Sequence, residues 1–180
     1  MRSDVNTVKN WAMPVEDDVP RVTLERFRDA MAQLGAAVHI VTTDGPGGRA
    51  GFTASAVCSV TDAPPSVLVC INRGSSAYAA TVANGVVCIN TLSADQQRLS
   101  VAFAGKVPMA ERFAHGEWIS CEGGAPALSG AIMSIDCRIA SVVAVGTHDI
   151  LVCEVTRILD NAHEGILIYY NRQYHGVRKG

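Results

Sequence analysis

No stretch of about 18 consecutive apolar residues, the length a membrane-spanning helix needs, occurs anywhere in the chain. The first residues, MRSDVNTVKNWAMPVEDDVPRVT, hold no apolar run after Arg2 that would serve as a secretory leader. Charge is scarce too: charged residues make up 18% of 180 residues, the formal net charge is −2, and no block of Lys or Arg stands out. That argues against nucleic acid and against a membrane surface as partners. Motifs for several chemistries are missing. With no C-x-x-C, H-x-x-x-H or H-x-x-E-H pair there is no metal-site signature, and with no G-x-S-x-G there is no nucleophile elbow. Gly45-Pro46-Gly47-Gly48 lacks the spacing and strand-turn-helix context of a dinucleotide fingerprint, so a Rossmann domain is not indicated.

Apolar residues, at 48%, suffice for the core of one domain. Six cysteines, Cys58, Cys70, Cys88, Cys121, Cys137 and Cys153, are widely spread, and all but Cys121 sit in apolar β-like runs. A reduced thiol in such a run packs as a small hydrophobe, which points to a reducing, cytoplasmic compartment rather than to disulfides.

Residues 1–22 are polar and aperiodic and read as an N-terminal arm that orders on a partner surface; residues 23–180 form the domain. From Thr23 onward Leu24, Phe27, Met31 and Leu34 recur at helical spacing, with Thr23 as N-cap and Gly35 as stop, and the apolar face of this helix is expected to cover a sheet. Seven β-like runs follow: AAVHIVTT, AGFTASAVCSV, SVLVCIN, VVCINTL, AIMSIDCRIASVVAV, HDILVCEVTRIL and GILIYY. The Asp44–Gly48 segment suits a hairpin between the first two, and Gly146-Thr147 a two-residue turn between the fifth and sixth. In the fifth run Met133, Ile135, Cys137 and Ile139 alternate with Ser134, Asp136 and Arg138, as in a half-buried antiparallel strand. Short helices are expected from Ser75 or Ser76 to Asn84, closed by Gly85, and from Ser93, with Gln96 completing a capping box, through Leu99 and Phe103 to Gly105. Few, short helices among sequential strands favour a mainly β, antiparallel barrel with flanking helices over a doubly wound parallel sheet.

Two segments could carry chemistry. In Cys70-Ile71-Asn72-Arg73-Gly74-Ser75-Ser76 a strand runs into a polar turn and a helix start, a combination suited to cradling a phosphate. Ser75 and Ser76 equally suit plain helix caps, and Arg73 a solvated charge. Gly51-Phe52-Thr53-Ala54-Ser55-Ala56 is a strand of small residues with two hydroxyls on one face, against which a flat ring could lie; it also reads as a strand kept small for packing. Of His39, His115, His148, His163 and His175, His148 alone directly follows an expected tight turn.

Together these segments resemble the flavin reductase-like family, the reductase components of two-component flavin-dependent monooxygenases. The resemblance runs from about Phe27 to His175 and rests on FRDAM, GRAGFTASAVCSVTDAPPSVLVCINR, the ERF at Glu111 to Phe113, GTHDILVCEV and LIYYNRQYH. It implies an FMN-binding split barrel, a homodimer, hydride transfer from NADH (or NADPH) to FMN or FAD, and a separate oxygenase component that receives the reduced flavin. By position, Thr53, Ala54 and Ser55 would line the flavin ring. Asn72, Arg73, Ser75 and Ser76 would meet the ribityl chain and phosphate, with Phe103 alongside and Lys106 as a further cation. The family's Gly-Asp-His pattern, associated with nicotinamide binding, stands here as Gly146-Thr147-His148, which leaves an acid's role there unsupported; His175 is a second candidate for that pocket. A flavin carrier or sensor without turnover, or an oxidase on the same barrel, are the competing readings.

Overall fold

The computed structural model describes residues 6–8, 21–161, 165–178 and 180. In chain order the strands are β1 (Asn6–Val8), β2 (Ala36–Ala37), β3 (His39–Thr43), β4 (Ala50–Ala54), β5 (Val57–Asp62), β6 (Pro65–Asn72), β7 (Val86–Thr91), β8 (Trp118–Ser120), β9 (Pro126–Leu128), β10 (Met133–Val145), β11 (His148–Asp160), β12 (Gly165–Tyr170) and β13 (Gln173–Arg178). The helices are α1 (Leu24–Ala32), α2 (Tyr78–Asn84), α3 (Gln97–Val101) and α4 (Met109–Arg112); a π-helical turn, Ala102–Lys106, continues α3. Among the described residues no helix is long and apolar enough to cross a membrane.

The fold is mainly β. Seven strands pair antiparallel in the order β4-β3-β7-β10-β11-β6-β5, and β1 adds in parallel against Ser141–Val143 of β10. The arm expected over residues 1–22 lies mostly outside the described residues; β1 is its one described strand. In a flat sheet β4 and β6 would stand five strand spacings, about 24 Å, apart. Here their Cα atoms approach within 8 Å, and Phe52 of β4, Val69 of β6, Ile89 of β7 and Leu151 of β11 share one buried cluster. The sheet therefore curls around its core, and its end strands β4 and β5 are joined by Ser55 and Ala56 alone.

Each expected run forms strand, with AAVHIVTT divided into β2 and β3 at Val38 and AGFTASAVCSV into β4 and β5 at Ser55-Ala56; β2 leaves the large sheet to pair with β12 in a three-stranded sheet with β13. Both expected hairpins form, the second closing Val145 onto His148 through Gly146 at φ +54°. β8, β9 and β13 lie outside the seven expected runs; QYHGVR of β13 is poor in the residues that favour strands, yet it pairs along the whole of β12.

Three further expectations are corrected. The polar face of β10 is solvated only at Arg138: Ser134 and Asp136 are buried under the β8–β9 hairpin, with Ser134 Oγ donating to Asn90 Oδ1 (2.8 Å) and Gly123 N to Asp136 Oδ2 (3.2 Å). Period two identifies two faces but not what lies on each. Cys58 is exposed on β5 and Cys121 is buried, the reverse of the pattern read from flanking residues. Finally, α1 is capped by Thr23 as expected but buries none of its residues; Leu24, Phe27, Met31 and Leu34 are 43–63% exposed. Its polar side is what docks, through Arg172–Asp29 and Asn171 N to Ala32 O (2.7 Å), onto the β12–β13 turn.

Candidate active site

Where β4 gives way to β5 and β6 gives way to α2, the curled sheet leaves a cleft of about 620 Å³, within the range of roughly 300–1,000 Å³ usual for small-molecule and cofactor sites. β4 contributes Thr53 and Ala54, and Ser55 and Ala56 follow; the turn after β6 contributes Asn72, Gly74, Ser75 and Ser76. Cys70 N donates to Ala56 O at 3.1 Å, which fastens the two walls together. β11 begins at His148, the register partner of Asn72, so the β10–β11 turn stands at the same rim.

Local hydrogen bonds shape each wall. Asn72 Oδ1 accepts from Gly74 N (2.7 Å) and Asn72 O from Ser75 N (2.9 Å), which folds the turn tightly. Helix α2 starts at Tyr78, later than Ser75 or Ser76, so both serines belong to the turn; it ends as expected at Gly85, in the left-handed conformation. Thr53 Oγ1 donates to Ser100 O (2.6 Å) and so holds α3 over β4 instead of offering its proton to the cleft. Only half of the expected capping box forms at α3: Gln96 Oε1 accepts from Ser93 N (2.9 Å), while Ser93 Oγ turns to Asp95. Phe103 backs the cleft from an aromatic cluster with Phe113 and Trp118, and Ala104 and Gly105 of the π-helical turn complete that side. Gly51 is required here, because a Cβ would lie 2.7 Å from the Phe103 ring.

The structure thus gathers Thr53, Ala54, Ser55, Asn72, Ser75, Ser76, Phe103 and His148 around one cleft. Five expected site residues do not line it. Arg73 turns away: its guanidinium donates to Gly146 O and pairs with Asp149 (3.5 Å), whose other oxygen accepts from the Tyr78 hydroxyl (2.6 Å). That hydrogen bond raises the Tyr78 pKa. Gly146 and Thr147 form the turn itself, and Thr147 Oγ1 lies 2.9 Å from His148 Nδ1. Lys106 is exposed just past Gly105, and His175 is exposed on β13, packed against Tyr170 in the separate three-stranded sheet.

Sequence reasoning missed Arg112 as a site residue, although the ERF segment containing it contributed to the resemblance. It is 3% exposed and lines the cleft, donating from Nε to Val107 O (2.9 Å), from Nη1 to Gly51 O (2.8 Å) and from Nη2 to Ser76 Oγ (3.2 Å). Burial lowers its pKa. Among the described residues no Asp or Glu lines the cleft, whose donor set of hydroxyls, amides and a guanidinium suits an anionic ligand.

The flavin reductase-like domain model matches residues 31–178. The chain belongs to the flavin reductase-like family. A flavin reductase-like protein of Ancylobacter novellus named FMN reductase (NADH) RutF is 59% identical over 88% of this chain and 87% of its own length. A provisionally named flavin reductase from Haemophilus somnus superposes with a TM-score of 0.84 at 49% identity, over 87% of this chain and all of its own. Component B of a nitrilotriacetate monooxygenase from Mycobacterium thermoresistibile superposes with a TM-score of 0.80 at 28% identity, over 86% of each chain.

Proposed function

We propose that this flavin reductase-like chain is an NADH-dependent flavin reductase that binds FMN or FAD in the β4–β6 cleft and supplies reduced flavin to a separate monooxygenase component. The observation that carries this reading is the convergence, in one cleft that no described acidic residue lines, of the small-residue strand, the hydroxyl-bearing turn and a buried guanidinium. The names of the relatives favour FMN and NADH, and the likeness to a monooxygenase component favours an oxygenase as recipient.

Hydride transfer between nicotinamide C4 and flavin N5 is the chemistry the two bound cofactors supply. The chain's own task is to hold the reactants in register and exclude water. Thr53–Ser55 pack small side chains where a flat ring fits, and because β4 is an end strand, alternate N–H groups face away from the ladder and can donate to negative charge on the ring's N1 side. Asn72, Ser75 and Ser76 hold the ribityl and phosphate end. His148, at the rim beside Asn72, positions the nicotinamide, and Thr147 sets its ring orientation.

The curled sheet is, in this reading, the family's split barrel. The apolar face of α1 is the contact between two copies of the chain, since none of the described elements of its own chain covers it. Anaerobic mixing of protein, FMN and NADH tests the activity: rapid loss of flavin absorbance near about 450 nm, the chromophore's own band, is expected. Tight flavin retention without bleaching would favour a carrier instead.

A further inference from the structure

Arg112 presents a physical problem that its hydrogen bonds do not solve. Taking a guanidinium out of water is unfavourable unless its charge is matched, and Arg112 is 3% exposed. Its three acceptors, Val107 O, Gly51 O and Ser76 Oγ, are all neutral. Among the described residues no carboxylate pairs with it; the five ion pairs all involve other arginines. The neighbouring Glu111 is exposed and makes no pair with it. Those three bonds use three of the five guanidinium N–H groups, so donors remain on a cation that forms part of the cleft wall.

The position of Arg112 is as telling as its charge. It reaches the strand wall at Gly51 and the turn wall at Ser76, and so ties together the two segments between which a ligand must lie. Because Ser76 Oγ accepts from Nη2, the hydroxyl proton of Ser76 must point elsewhere, and Ser76 itself lines the cleft. Cation and hydroxyl thereby form one oriented donor unit.

We propose that Arg112, acting directly and through Ser76, is the counter-charge for a phosphate monoester, so that the cleft selects a flavin by its phosphate as well as by its ring. This rests on the flavin reading above and adds to it a residue and a ligand charge. A terminal phosphate monoester approaches −2 near neutral pH, whereas each phosphate of a pyrophosphate carries about −1, so Arg112 favours FMN over FAD and both over riboflavin.

The test measures FMN and riboflavin affinity by flavin fluorescence in the full-length protein, wild type against R112Q and R112K. R112Q is expected to lose about 10- to 100-fold in FMN affinity, the range for one charge-assisted contact, with riboflavin changed by less than about threefold; R112K should fall between. Equal losses for both ligands would reduce Arg112 to a structural clamp and overturn the proposal. Should R112Q fail to fold, a second measurement on flavin-free wild type decides: inorganic phosphate should raise the thermal midpoint saturably, beyond sodium chloride at equal ionic strength. The absence of that rise would equally overturn it. A wild type that answers to phosphate but binds neither flavin would refute the flavin reading and leave the anion site standing.

Discussion

Arg73 Nε lies 3.5 Å from Asp149 Oδ1, and Asp149 in turn accepts from Tyr78, so one buried carboxylate links the turn after β6, the start of β11 and helix α2. Arg73 also donates to Gly146 O, and Arg73 N to Thr147 O (3.1 Å), which holds the segment carrying His148 against the cleft. Arg73→Gln should raise KM for NADH about 5- to 10-fold while flavin affinity changes by less than about twofold. Steady-state kinetics beside a flavin titration checks this; an effect on flavin alone would return Arg73 to the phosphate.

His148→Ala removes the proposed nicotinamide contact. The expected result is a rise of about tenfold in KM for NADH, with kcat lowered as well if orientation is lost. Unchanged kcat and KM would show that His148 does not position the nicotinamide.

Much of the fold could be read from composition because Val and Ile runs bounded by Asp-Gly-Pro or Gly-Thr turns define strands locally. What could not be read depends on partners distant in sequence. Arg73 next to a serine turn could face a phosphate or a carboxylate, and Asp149, 76 residues on, decides. Ser134 and Asp136 alternate as surface residues do until the β8–β9 hairpin covers them. Arg112 is the clearest case: a charged residue in a short polar segment reads as solvated, and only the folded chain places it under Gly51 and Ser76. The cleft-lining serines and the small-residue strand were legible because their chemistry is local to each segment.

Gly51→Ala would drive a Cβ to 2.7 Å from the Phe103 ring and 3.2 Å from Val41 O. Phe103 is held by Phe113 and Trp118 at ring centroid distances of 5.2 and 5.4 Å and has little room to yield. A loss of about 1–3 kcal/mol in urea unfolding is expected.

His39 is buried against Thr91 (Nδ1 to Oγ1, 3.1 Å), and burial lowers its pKa to about 4. Since the unfolded imidazole titrates near 6.5, protons bind the unfolded state preferentially between those values. Its contribution is therefore intact above about pH 6.5, falls as the pH drops toward 4, and changes no further below. At pH 4.5 the wild type should have lost about 2–3 kcal/mol more than His39→Gln relative to pH 7; parallel losses in the two proteins would contradict this.

Phe27 sits on the uncovered face of α1 at 53% exposure. Phe27→Glu should yield a species of one chain's mass, 19.0 kDa, by light scattering where the wild type gives two. Identical masses would place the dimer contact elsewhere.

The central claim is that β4 and the Asn72–Ser76 turn jointly hold the flavin. A crystal structure with FMN tests it most directly: the ring should lie along Thr53–Ser55 with the phosphate among Ser75, Ser76 and Arg112. FMN bound at any other surface, with this cleft empty or filled by side chains, would contradict it.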